Sequence, residues 1–139
     1  MFKKVLLAID LADKEAHDKA FTVARQYAEA GSELYVVSVI PPVEGGGFVQ
    51  SFLPPDYDKH LLEQAHAALC AFSDSKLAGL QNVHHMVAHG KVYEKITDIA
   101  NELHIDLIIT MASMQKHRAF GPNVARIVRN SDCSVIILR

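Results

Sequence analysis

The chain has 139 residues, half of them hydrophobic and 22% charged, with a formal net charge of −2. That is the profile of a single globular domain able to bury roughly two-thirds of its unfolded surface, and it gives no global attraction to nucleic acid or to an anionic membrane. The two cysteines, Cys70 and Cys133, make neither a disulfide framework nor a CxxC pair, which fits a reducing cytoplasm, and no run approaches the ~20 apolar residues of a transmembrane helix.

Met1 to Asp10 opens like a signal peptide, basic and then apolar. The run stops at Asp10, however, and the acidic stretch after it offers no cleavage site. Val5 to Ile9 is therefore read as a strand buried on both faces of a parallel sheet. Asp10-Leu11-Ala12-Asp13 breaks it. A helix follows, with Ala16, Ala20, Val23, Ala24, Tyr27 and Ala28 on one stripe and Gly31 as its stop. Leu34 to Ile40 is a second buried strand. The stretch from Pro41 to Pro55 holds Gly45-Gly46-Gly47 but lacks the Lys-Ser/Thr and the immediate helix of a P-loop. With Phe48, Val49, Phe52 and Leu53 beside it, it reads as a lid, a partner-binding loop or a plain connection.

Asp56 opens a long helix with Tyr57, Leu61, Ala65, Leu69 and Phe72 on one face, ending near Gly79. Val83 to Ala88 is the third strand and His89-Gly90 a turn. Val92, Ile96, Ile99, Ala100 and Leu103 mark a third helix, and Leu107 to Met111 the fourth strand. Asn123 to Arg129 is the core of a fourth helix, and Ser134 to Leu138 the fifth strand. Strict alternation of strand and helix predicts one α/β domain: an open five-stranded parallel sheet with helices on both faces.

Chemistry is sparse. Asp10 sits at the carboxyl end of the first strand, where open α/β sheets bind ligands, or else it only orients the following turn. The polar loop Ala112 to Pro122 joins the fourth strand to a helix start, the usual place for a phosphate. His85 and His89 share a face of the third strand but lie ~13 Å apart, with His84 on the other face. His66 and Cys70, four apart on a helix, can meet, yet a structural zinc wants four ligands. No metal site is read. No Ser-His-Asp order, paired carboxylates or reactive cysteine setting emerges, and no catalytic residue is assigned.

Several fragments carry a resemblance in their order and spacing. They are Lys4-Val5-Leu6-Leu7-Ala8-Ile9-Asp10; Tyr35-Val36-Val37-Ser38-Val39-Ile40-Pro41; Gly90 before the helix containing Ile96; Ile105-Asp106-Leu107-Ile108-Ile109; and the ending from Val124 to Arg139. Together they make the chain resemble the universal stress protein family, a fold of the adenine nucleotide α-hydrolase kind. The resemblance implies adjacent first and fourth strands. It also implies a homodimer paired through strand five, Val135, Ile136, Ile137 and Leu138, whose edge would otherwise stand open.

Binders in that family carry Gly, two residues, Gly, nine residues, then Gly-Ser or Gly-Thr after the fourth strand. Here Ala112 stands at the first Gly and Gln115 at the second; Gly121 follows after five residues, and Pro122, without an N–H, replaces the hydroxyl residue. The nucleotide-contacting positions the resemblance implies are Ala8, Ile9, Asp10, Val39, Met111, Ala112, Gln115, Gly121 and Asn123, with the Val39 backbone toward adenine. Lys116, His117 and Arg118 either bind phosphate through their side chains or form a solvated tip. The expectation is a cytoplasmic, non-catalytic regulatory or protective module of the stress response, with weakened or absent ATP binding. The alternative is a member that binds ATP or AMP and hydrolyses it slowly at most. An adenylating enzyme is disfavoured, because no His-x-Gly-His or Ser-Gly-Gly motif follows strand one.

Overall fold

The computed structural model describes residues 2–12, 17–41, 57–112 and 122–139, without the side chains of Asp58 and Pro122. Five parallel strands, β1 (Lys4–Ile9), β2 (Glu33–Ile40), β3 (Val83–His89), β4 (Leu107–Met111) and β5 (Ser134–Leu138), lie in the order β3-β2-β1-β4-β5. The first and fourth strands are therefore neighbours, as the resemblance implies. Among the described residues, four helices lie between them: α1 (Asp18–Glu29), α2 (Tyr57–Lys76), α3 (Val92–Glu102) and α4 (Pro122–Asn130). β1 and β2 each begin one residue before the apolar run, because Lys4 and Glu33 are paired in register.

Strands sandwiched between helices need apolar side chains on both faces, hence the unbroken Val5-Leu6-Leu7 and Leu107-Ile108-Ile109 runs, all 0% exposed. Val5, Leu7, Ile9, Leu34, Val36, Leu107 and Ile109 face α1 and α2. Ala20, Ala24 and Ala28 bring α1 close to the sheet, while Phe21 and Phe72 meet edge to face at 5.2 Å. Leu6, Val37 and Ile108 point the other way, onto Ile96, Ile99 and Ala100 of α3 and Ile127 of α4. The Arg126 guanidinium lies 5.0 Å from the Tyr93 ring centre and links those two helices.

Gly31 ends α1 at φ 106°. Its N–H reaches Ala28 C=O at 3.0 Å and the Ser32 N–H reaches Tyr27 C=O at 3.1 Å, a Schellman closure. α3 closes the same way without a glycine: His104 takes φ 56°, and the Ile105 N–H reaches Ala100 C=O at 2.9 Å. Side chains tie the strand starts together. Asp106 accepts the Lys3 and Lys4 N–H groups, each at 2.9 Å, Lys4 Nζ donates to Leu103 C=O, and Asn82 Nδ2 donates to both Ala28 and Ser32 C=O. Among the described residues, no helix is long and apolar enough to cross a membrane.

Candidate functional site

Connections from β1 pass to the face covered by α1 and α2, and those from β4 to the opposite face. A crevice opens where crossovers diverge in this way. Pairing between β1 and β4 stops at Leu7↔Ile109, although β1 runs on to Ile9 and β4 to Met111. Ala8, Ile9 and Asp10 thus form one wall of the opening, and Met111 and Ala112 the other. β2 extends past its last partner on β1, Ser38, to Ile40. Ile40 C=O accepts the Gly90 N–H at 3.0 Å on the β3 side. Because successive residues of a strand alternate, the Val39 backbone groups point to the β1 side, toward the crevice.

The described part of this edge offers backbone rather than side chains. Ile9 and Met111 pack into the core under α1, and Ala8 and Val39 into the opposite core. Two backbone donors are already engaged: the Ala112 N–H binds Leu138 C=O at 2.7 Å, and the Asp10 N–H binds His17 Nε2 at 3.0 Å. The exposed Asp10 carboxylate accepts the Ala12 N–H at 2.9 Å, so it does shape the turn. Asn123 is exposed in the first turn of α4. Gln115 and Gly121, with Lys116, His117 and Arg118, lie outside the described residues, as does the Gly45-Gly46-Gly47 stretch.

His17 escaped the sequence reading. It is only 5% exposed and sits at the amino end of α1 without capping it. The signal available was slight: a histidine just before the helix, seven residues after the strand-end carboxylate. Elsewhere, His66 and Cys70 do meet, with Sγ 3.7 Å from Nδ1, while His84 pairs with Glu33 at 2.7 Å on the other face of β3. Among the described residues, no three His, Cys, Asp or Glu side chains are grouped to hold a metal ion. Burial raises the Cys70 thiol pKa, and the Asp74 charge adds to it; burial also raises that of Cys133. Both are poorer nucleophiles than a free thiol.

A recess of about 550 Å³ opens at the opposite, amino end of the sheet, among Phe2, His104, Asp106 and Cys133. Of its two carboxylates, Asp106 and Asp132, the first is already engaged by the Lys3 and Lys4 N–H groups. The crossover crevice is therefore the better ligand candidate.

The model of the universal stress protein family matches residues 1–139. The chain is 21% identical over 144 residues to universal stress protein G of Shigella flexneri, with both chains covered in full. In fold it is similar to the universal stress protein of Archaeoglobus fulgidus in complex with dAMP, with TM-score 0.65 and 16% identity, covering 99% of this chain and 98% of that one. It is likewise similar to a universal stress protein in complex with cAMP, with TM-score 0.60 and 18% identity over 99% and 97% of the two chains.

Proposed function

This chain belongs to the universal stress protein family, and we propose that it is a cytoplasmic, non-catalytic regulatory or protective module. It holds an adenine nucleoside loosely in the β1–β4 crevice and lacks a tight triphosphate site. The state of the backbone donors carries this reading. At the described edge, the Asp10 N–H, on the side of β1 that faces β4, is bound within the protein by His17, so it is not available to a phosphate. A hydrogen bond to an ionised group is worth about 1.5–3 kcal/mol. One such loss weakens a micromolar site about tenfold to 150-fold. The sequence adds Gln115 where a bare backbone is wanted and Pro122 where a donor is wanted.

Support for the nucleoside comes from the crevice itself and from relatives. The Val39 backbone groups face the opening, and the solved relatives hold dAMP and cAMP, adenine nucleotides with a single phosphate group. The alternative, ATP or AMP held with slow hydrolysis at most, draws on one feature: Lys116-His117-Arg118, three side chains able to replace lost backbone donors at a phosphate. For a partner, we infer a second copy of the chain paired along β5, an edge strand with Val135, Ile136, Ile137 and Leu138 each half-buried.

Calorimetric titration of adenosine, AMP and ATP at low and high salt tests the reading. It expects similar weak affinity for all three, little salt dependence, and no saturable ATP binding below about 100 micromolar. A micromolar ATP isotherm, steep in salt and lost in Lys116→Ala/Arg118→Ala, would establish the alternative.

A further inference from the structure

His17 makes an unusual contact for a residue at a helix start. Its ring turns back across the connection from β1 and accepts the Asp10 N–H at Nε2, 3.0 Å away. A ring nitrogen that accepts a backbone N–H carries no proton, so the neutral ring holds its proton on Nδ1. An imidazolium would set N–H against N–H, and this bond would be lost. Asp10 is thus fixed at two points, its N–H by His17 and its carboxylate by the Ala12 N–H. Among the described residues, the two charged groups that follow His17 at the start of α1 have partners of their own. Asp18 of α1 pairs with Lys76 of α2 at 2.7 Å, and Lys19 Nζ donates to Arg139 C=O at 2.6 Å. The Asp10 carboxylate lies at the carboxyl end of β1 and is turned onto Ala12.

We propose that His17 is the positioning residue of the β1–β4 crevice, a latch whose neutral imidazole holds Asp10 in place for an adenine nucleoside and whose protonation or removal releases it. The inference rests on the nucleoside reading of the crevice. It adds a regulator to that site: mild acid opens the latch and weakens binding, and neutral or alkaline conditions close it. The direction follows from the hydrogen bond alone, since only the unprotonated ring can accept.

Two measurements on the full chain test it. The first is a long-range ¹H–¹⁵N spectrum of the histidine rings, recorded from about pH 8 to about pH 5.5 without ligand. It should show His17 Nε2 unprotonated at high pH, with the Asp10 amide shifting at the same midpoint as the ring. A protonated Nε2 at pH 8, or an Asp10 amide indifferent to the ring, would overturn the latch. The second is adenosine titration of the wild type, His17→Gln and His17→Ala at both pH values. The wild type should lose affinity on acidification, by up to about tenfold once the ring is fully protonated. His17→Gln, whose amide oxygen accepts at either pH, should bind without pH dependence, and His17→Ala should bind weakly at both. Equal affinity of His17→Ala and wild type would overturn the proposal. If no form binds adenosine, the nucleoside reading fails, and the ring and amide titration alone then upholds or overturns the latch.

Discussion

The proposed pairing of two copies through β5 depends on which residues turn their backbone outward, and one position's difference inverts the outcome. The Ser134 N–H binds Asp106 C=O at 3.2 Å, and Leu138 C=O accepts the Ala112 N–H at 2.7 Å. Even-numbered residues of β5 therefore turn their backbone to β4, while Val135 and Ile137 turn theirs to the open edge. Ile137→Pro removes an outward donor only, and proline is tolerated on such an edge. About a two-fold axis the loss counts twice. At about 1–1.5 kcal/mol net per hydrogen bond, the dimer loses about 2–3 kcal/mol, and its Kd rises roughly 30- to 150-fold. Ile136→Pro instead removes a donor to β4 and so destabilises the fold itself. Sedimentation across a concentration series reads the first effect, and urea unfolding the second. The monomer–dimer midpoint of Ile137→Pro should lie roughly 30- to 150-fold above the wild type's, with a wild type dimeric at roughly tens of micromolar, and Ile136→Pro should unfold at distinctly lower urea. An Ile137→Pro protein that dimerises like wild type, or a wild type that is itself monomeric there, would refute the reasoning.

Other substitutions probe single contacts. Burial opposes ionisation of Asp106, but the Lys3, Lys4 and Asp106 N–H groups outweigh it and hold the carboxyl below its ordinary value. Asp106→Asn should cost about 1.5 kcal/mol at neutral pH by urea unfolding, the low end because the Lys3 bond is exposed. That deficit should close as pH falls below about 4 and wild-type Asp106 itself takes up a proton. His104→Gly should stabilise by about 1 kcal/mol in thermal unfolding, since a left-handed φ of 56° strains any side chain but suits glycine. Burial lowers the His85 pKa below 6.5, with His66 and His84 adding to the effect and Asp74 working against it. The unfolded chain then binds the extra proton, so stability is full above that pH and declines as pH falls below it. His85→Leu should flatten the decline, as read by urea midpoints between about pH 7 and about pH 5.

The sheet and its helices were legible because burial on both faces forces unbroken apolar runs such as Val5 to Ile9, and helices over a sheet force stripes such as Ala20, Ala24 and Ala28. Strand order needed the family resemblance, since periodicity cannot say which parallel strand lies beside β1. The stop at Gly31 carried its own signal in the residue type. The stop at His104 carried none, because the helix closure there puts a non-glycine residue in a left-handed conformation. Asp10 was found as a strand-end carboxylate, but its tie to His17 depends on a ring reaching back across the chain, which no residue spacing encodes. The same holds for the parting of β1 and β4 after Leu7↔Ile109. Which way a crossover leaves a strand is a property of the assembled sheet.

The side-chain ties at the strand starts divide the molecule by tolerance to change. Asp106, Lys4, Asn82 and Ser32, whose hydroxyl donates to Phe2 C=O, all clasp backbone at the amino end of the sheet. The fold is thus riveted at the end away from the crevice. The connections leaving the carboxyl end can lengthen, shorten or change charge without loosening those rivets. A scaffold anchored at one end allows recognition to diversify at the other, so the shortened β4–α4 connection need not have cost the protein its stability. Transplanting a longer, glycine-rich connection from a nucleotide-binding relative should change what the edge holds while leaving the unfolding midpoint nearly where it was.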